Sequence, residues 1–379
     1  MRKTIGVVFL LILLSYILGL VSGFHLPTGA VHLSAGLTRL LHGKVRPLVV
    51  TRSFNETIYY VTDRKEAPHV DDNASYLGQY AGQVSYGLVK VQVPDDRRVG
   101  SALNSYGIRK VESISSPEFI KFLQDQSAKP LVIWIHGYKA SFNDNNMYCA
   151  QIAYDLNMDA NILSFDWANS ESFLGYARDA FQVKRSAKHL ANLLETISNE
   201  VKPQKIVIIA HSLGSQLVCL ALQKMYNNPN AKNVKLDHVI FLAPNIDGDE
   251  FDQNFKSALA ALVSRVTIYV SSDDNALLLS KLLYNIDSIG LPERFSADTN
   301  LDEIQAFLSY GKEIPEKIDL VDVSFLAKKD LLKKHRIFLD RPVLEDLFWL
   351  IHNDQPAEKR HLFKYERSQN AANYWVIPP

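Results

Sequence analysis

Cysteine is nearly absent: the 379 residues hold two, Cys149 and Cys219. Two cysteines make no disulfide framework, and neither stands at metal-ligand spacing from a His or another Cys. Both fall in stretches that read as helices, where a buried free thiol is the ordinary outcome; a bridge stays open if the compartment is oxidising. Net charge is also absent, with 41 Lys and Arg against 41 Asp and Glu. A neutral chain with no long run of either sign gives no electrostatic reason to expect a nucleic-acid partner. No internal repeat or low-complexity tract is evident. What is present is an ordinary globular balance, 47% hydrophobic and 22% charged. Over this length it supports one large domain or two small ones.

The N-terminus departs from this balance. Arg2 and Lys3 precede an apolar run from Ile5 to about Val21. That is a charged n-region and an h-region, with Val21-Ser22-Gly23 a tolerable cleavage site. The run is also about long enough to span a bilayer. Residues 1–23 are therefore expected to be a signal peptide or a signal anchor, the anchor slightly preferred. Both place the remaining chain outside the cytoplasm, because the positive charge precedes the run. The expected location is the cell envelope, or secreted or periplasmic if the segment is cleaved. No cysteine lies near Gly23, which excludes a lipoprotein-type anchor. Residues 24–50 read as a linker.

Beyond the linker the pattern alternates. Thr57–Thr62 and Tyr86–Val93 read as strands, with a polar, irregular stretch between them. Leu131–Ile135 is a continuous apolar run, as in a strand buried on both faces. A helix follows, with Cys149, Ile152, Ala153 and Leu156 on one face, then a strand over Asn161–Phe165. A long amphipathic helix runs from about Tyr176 to Val201, its stripe marked by Val183, Ala187, Leu190, Leu194 and Ile197. Lys205–Ala210 is the clearest buried strand. Further strands are expected at Val239–Ala243, Val266–Val270 and Ile318–Val323, and a closing helix around Leu344–Ile351. Strands alternating with helices predict an α/β fold, a mostly parallel central sheet with helices on both faces.

The chemistry concentrates at Ala210-His211-Ser212-Leu213-Gly214. An apolar strand precedes it and an amphipathic segment (Leu217, Leu220, Ala221) follows. A serine on such a strand-to-helix turn is a nucleophile elbow, the signature of the α/β-hydrolase fold. The tight turn needs small residues two before and two after the serine, here Ala210 and Gly214. The N–H of Leu213, at the helix start, can face a developing oxyanion. His136-Gly137-Tyr138, after an early buried strand, is the second constellation, with the Tyr138 N–H as the other oxyanion donor.

In this fold the acid and then the histidine follow the serine. Among late histidines, His352 lies near a helix end and His361 in a polar tail, so His335 is the expected base. Its basic neighbours Lys333, Lys334 and Arg336 would lower the imidazole pKa unless a carboxylate offsets them. Asp274 is the chosen acid, after the strand ending at Val270. Asp273 is next, and Asp247 third, with capping a turn as its plainer role.

These residues resemble a bacterial α/β-hydrolase family of unknown function described as esterase/lipase-like. The resemblance runs from about Tyr59 to His352. It is carried by Tyr60-Val61-Thr62-Asp63-Arg64, Tyr86-Gly87, Val91-Gln92-Val93-Pro94, Ile135-His136-Gly137-Tyr138 and the serine motif. Ala243-Pro244-Asn245-Ile246-Asp247 and Tyr269 to Leu277 complete it. The resemblance implies Asp274 over Asp273, and Val321-Asp322-Val323-Ser324 followed by His335. Leu213 replaces the usual Met and Asn245 the usual Asp. The domain expected is 51–360, with 286–315 a possible insertion or cap and 361–379 a C-terminal tail.

The function implied is hydrolysis of a carboxylic ester or related acyl bond by Ser212, Asp274 and His335. The expected substrate is a small-molecule or lipid-like acyl ester, with no cofactor and no metal. The alternatives are an acyltransferase on the same residues and a non-catalytic binding protein of the same fold. Phe173 and Leu174 read as loop packing, with an acyl pocket as the second choice.

Overall fold

The computed structural model describes residues 55–70, 73–93, 99–100, 106–172, 175–231, 234–272, 274, 276–278, 286–291, 318–324, 326, 335–364 and 374–377. The N-terminal segment, the linker, Asp273, Phe173, Leu174, Lys333, Lys334 and residues 292–315 of the expected insertion lie outside this set. Among the described residues no helix is long and apolar enough to cross a membrane.

In chain order the elements begin with β1 (Asn55–Val70), β2 (Asn73–Gln92), β3 (Gly107–Ile114) and α1 (Ser116–Asp125). Next come β4 (Leu131–Ile135), α2 (Phe142–Asp155), β5 (Asn161–Asp166), α3 (Tyr176–Thr196), β6 (Ile206–His211) and α4 (Leu213–Tyr226). β7 (Leu236–Leu242), α5 (Lys256–Leu262), β8 (Val263–Val270), β9 (Ile318–Asp322) and α6 (Arg341–Asn353) follow, then β10 (Phe363–Lys364) and β11 (Tyr374–Val376).

The eleven strands among the described residues form one sheet in the order β10-β11-β9-β8-β7-β6-β4-β5-β1-β2-β3. From β11 across to β1 every neighbouring pair is parallel. Antiparallel pairs flank this run at both ends. The parallel strands are apolar on both faces because helices cover both. Ile133, Ile135, Ile208 and Ala210 point to one side, into a core with Val183, Leu190 and Leu194 of α3 and Leu217 and Val218 of α4. Val132, Trp134, Val207 and Ile209 point to the other, with Cys149 and Ala153 of α2 and Leu344 and Leu347 of α6. The helical stripe expected over 183–197 is fully buried. At its end the α-helix gives way to a π-turn over Ile197–Val201. Cys149 and Cys219 are buried free thiols in α2 and α4; burial pushes both pKa values up.

Two segments differ from the sequence expectation. The stretch between the first two expected strands is a long hairpin, β1 and β2 pairing as far as Val70 and Asn73 through several bulges. Within the expected tail, Trp375 of β11 is buried against the second core, and β11 pairs in parallel with β9.

The chain order reverses where β4 and β6 lie side by side: β5 lies on one flank and β7 on the other. In open parallel sheets, ligands bind outside the carboxyl ends of strands at such a switch point. β4 is followed by His136-Gly137, and β6 ends at His211, next to Ser212.

Candidate active site

Ser212 adopts φ 51° and ψ −122°. An L-residue holds such a conformation only where its surroundings over-determine it, at a cost of about 1–3 kcal/mol. Here the serine N–H donates to the Leu242 carbonyl at 3.0 Å, and its carbonyl accepts from Ser215 and Asn245 at 3.0 and 3.2 Å. Ser212 is thus tied to β7 on one side and to the first turn of α4 on the other. The Leu213 N–H opens that helix, where the peptide dipoles favour negative charge.

The β4 end presses against this turn. A Cβ on Gly137 would lie 2.9 Å from the Ser212 Cβ and 2.8 Å from His211 Nδ1, so glycine is required for the approach. His136 Nδ1 lies 2.7 Å from the Gly137 carbonyl, which only accepts, so the ring donates. In a planar trans peptide the N–H points opposite to the carbonyl. Fixing the Gly137 oxygen therefore fixes the direction of the Tyr138 N–H. The Tyr138 hydroxyl donates to the Ser172 carbonyl, and its ring meets Tyr176 edge-on.

A buried ionic cluster supports this turn, and sequence reasoning assigned it no role. Arg64, within β1, is fully buried; its Nε donates to Asp166 at 2.6 Å, its Nη1 to Glu171 at 2.9 Å and its Nη2 to the Ala140 carbonyl at 2.6 Å. Asp166 also accepts from Asn145 at 3.0 Å and lies 3.2 Å from His136 Nε2. Burial pushes the Asp166 carboxyl up, but Arg64 and His136 outweigh it and leave it below the usual carboxylate range. Trp167 stacks on the His136 ring at 5.0 Å and donates to the His136 carbonyl at 2.8 Å.

His335 and Asp274 come together. His335 Nδ1 is 2.7 Å from Asp274 Oδ2, and the Asp274 side chain is fully buried. The other carboxylate oxygen accepts from the Ala276 and Leu277 N–H groups at 2.9 and 3.1 Å, so Asp274 caps a helical turn and meets the imidazole at once. Asp322, the last residue of β9, and Ser324 just beyond it brace the same loop. Ser324 donates to Asp322 at 2.5 Å and accepts from the Ser272 N–H at 2.8 Å. Asp247 is placed elsewhere: its side chain accepts from the Asp249 and Glu250 N–H groups, capping the next helical turn. His352 donates to the Leu156 carbonyl at 2.8 Å, away from the switch point. The root of the expected insertion folds back on the β7 end, with Ser288 donating to Asn245 at 2.6 Å and Asn245 to the Tyr176 hydroxyl at 2.6 Å.

A family model described as an alpha/beta hydrolase of unknown function (DUF900) matches residues 112–353, more than half of the chain. The chain belongs to this family. The DUF900 match takes in β4 through α6, and with them Ser212, Asp274 and His335. An uncharacterized protein of Nostoc sp. (strain PCC 7120), alr1448, is 27% identical over 225 residues, covering 45% of this chain and 59% of the relative. The chain thus spans less than two thirds of that relative's length. Among solved structures, EstE1, a thermophilic carboxylesterase cloned from a metagenomic library, is 12% identical at a TM-score of 0.35, covering 72% of this chain and 86% of that one. Thermogutta terrifontis esterase 2 is 13% identical at 0.34, covering 76% and 94%. The Pyrococcus furiosus esterase Pf2001 is 13% identical at 0.30, covering 63% and 76%.

Proposed function

We propose that this α/β-hydrolase cleaves a carboxylic ester or related acyl bond through an acyl-enzyme on Ser212. The observation that carries the reading is the 2.7 Å contact of His335 with the buried Asp274 carboxylate, on a loop packed beside the strained serine turn. Ser212 Oγ attacks the acyl carbon while His335 Nε2 takes its proton. Asp274 holds the ring with its proton on Nδ1 and stabilises the imidazolium. The Leu213 and Tyr138 N–H groups face the oxyanion. His335 then protonates the departing alcohol. A water deprotonated by the same nitrogen releases the acid and restores the serine.

The N-terminal run adds a location. The domain works outside the cytoplasm, held by or released from residues 1–23, and meets acyl esters there. A topology reporter fused after β11 that is active only in the cytoplasm would contradict this.

The test of the activity is turnover of p-nitrophenyl acetate and butyrate by wild type and Ser212→Ala, with an added alcohol in a parallel series. Free acid as the product, lost with Ser212→Ala, is the expected result. A new ester formed at the expense of acid would reassign the site to acyl transfer. A folded wild type that turns over neither ester would contradict the reading.

A further inference from the structure

His211, the neighbour of Ser212, takes no part in the chemistry above, yet it is the side chain on which three loops of the site converge. It is buried, with its ring 4.7 Å from that of His335, 4.9 Å from Phe338 and 6.5 Å from Trp134, the last nearly parallel. His211 Nε2 lies 2.9 Å from the backbone carbonyl of His335. A carbonyl oxygen only accepts, so Nε2 carries the proton and donates. Nδ1 faces Gly137, where any Cβ would collide with it. Burial, and then His335, Arg336 and His136, hold the imidazole well below its ordinary pKa, although the bond to the His335 carbonyl opposes this. Among the described residues those three are the titratable groups that face it, His136 from the turn after β4 and the other two from the base loop.

We propose that His211 is a positioning residue whose Nε2–H clamps the main chain of His335, so that the base is held at its backbone by the nucleophile turn and at its ring by Asp274. This rests on the Ser212–His335–Asp274 reading. His335 belongs to no strand or helix, so no backbone ladder fixes it. The Asp274 bond alone leaves the ring free to swing about Nδ1. A second bond at the carbonyl removes that freedom. Because its donor is adjacent to Ser212 in the chain, a shift of the nucleophile turn carries the base with it.

The test uses His211→Phe, which keeps a ring in the apolar slot but has no donor, and His211→Gln, whose amide reaches toward the same carbonyl. We expect the Phe variant to label with a fluorophosphonate and turn over ester about tenfold more slowly, the factor for one lost hydrogen bond. KM should stay within about twofold, because substrate does not touch His211. The downfield proton resonance of the Asp274–His335 bond should broaden in the Phe variant, and both effects should be largely reversed in Gln. Wild-type turnover and an unchanged downfield resonance in His211→Phe would overturn the inference, since a merely packed ring predicts that outcome. Should the Phe variant fail to fold, nitrogen NMR of the wild type decides: a neutral His211 with its proton on Nε2 supports the clamp, and a proton on Nδ1 overturns it. A wild type whose Ser212 does not label overturns the underlying reading, and this clamp with it, and is distinguishable from a labelled wild type indifferent to His211.

Discussion

Gly214→Ala is the substitution whose cost the structure sets most directly. A Cβ at 214 would lie 2.4 Å from the His136 carbonyl oxygen and 2.9 Å from that of Ile135. A comfortable carbon–oxygen contact is about 3.3 Å, so the β4 end must retreat by roughly 0.9 Å. Both obstructing atoms are backbone, at the end of a strand paired on both sides with β5 and β6, so the strain is not relieved by a rotamer change. Overpacking of this kind costs about 1–3 kcal/mol. For a domain of this size that lowers the Tm by about 2–5 °C. The greater effect falls on activity. The retreating segment carries Gly137 and Tyr138, and a displacement of about 1 Å costs on the order of 100-fold in rate. Differential scanning calorimetry and ester kinetics measure the two effects separately. Gly214→Ala with wild-type kcat would refute the reasoning that these two turns jointly form the site.

Three further outcomes follow from other parts of the molecule. Asp274→Asn should lower kcat by about 10⁴-fold while the thermal transition stays sharp, because the amide favours the wrong imidazole tautomer; stopped-flow ester hydrolysis reads it. Arg64→Met should cost about 3–5 kcal/mol in urea denaturation, because it leaves the buried Asp166 carboxylate without its guanidinium, and adding Asp166→Asn should recover part of the loss. Burial pushes Asp155 up to about 7, against the Gly100 N–H that favours its ionised form. The folded state therefore binds this proton more tightly than the unfolded chain. Stability should fall as pH rises from about 4 to about 7, by roughly 1.4 kcal/mol per unit for this group. Denaturation midpoints across pH 4–8 should show that slope, and Asp155→Asn should remove it.

The fold class was legible because β4 and β6 are unbroken apolar runs and α3 has a strict helical stripe. The strand-to-helix turn at Ser212 was legible because such a turn demands small flanking residues. The expected acid–base pair needed more. Asp274 and His335 are 61 positions apart, and three aspartates, Asp274, Asp273 and Asp247, satisfied the strand-end rule, with family resemblance adding weight only to Asp274 over Asp273. Asp247 and Asp274 both cap helical turns, so capping chemistry alone does not tell them apart; what separates them is which one meets an imidazole.

Other features left no local signal. Arg64 lies within β1 just past its apolar part and Asp166 ends β5, places where a charge ordinarily marks the return to solvent, and nothing in either segment points to the other. The outer arms of β1 and β2 are polar and bulged, so the two-residue period is broken. β10 and β11 are shorter than any periodicity needs to register. The expected N-terminal segment and the outer part of the insertion lie outside the described residues.

The most direct test of the central claim is fluorophosphonate labelling followed by intact-mass and peptide analysis of wild type and Ser212→Ala. The account predicts one adduct on the wild type, mapped to Ser212, and none on the variant. A folded wild type that takes up no probe, or a variant that labels as well as the wild type, would contradict it.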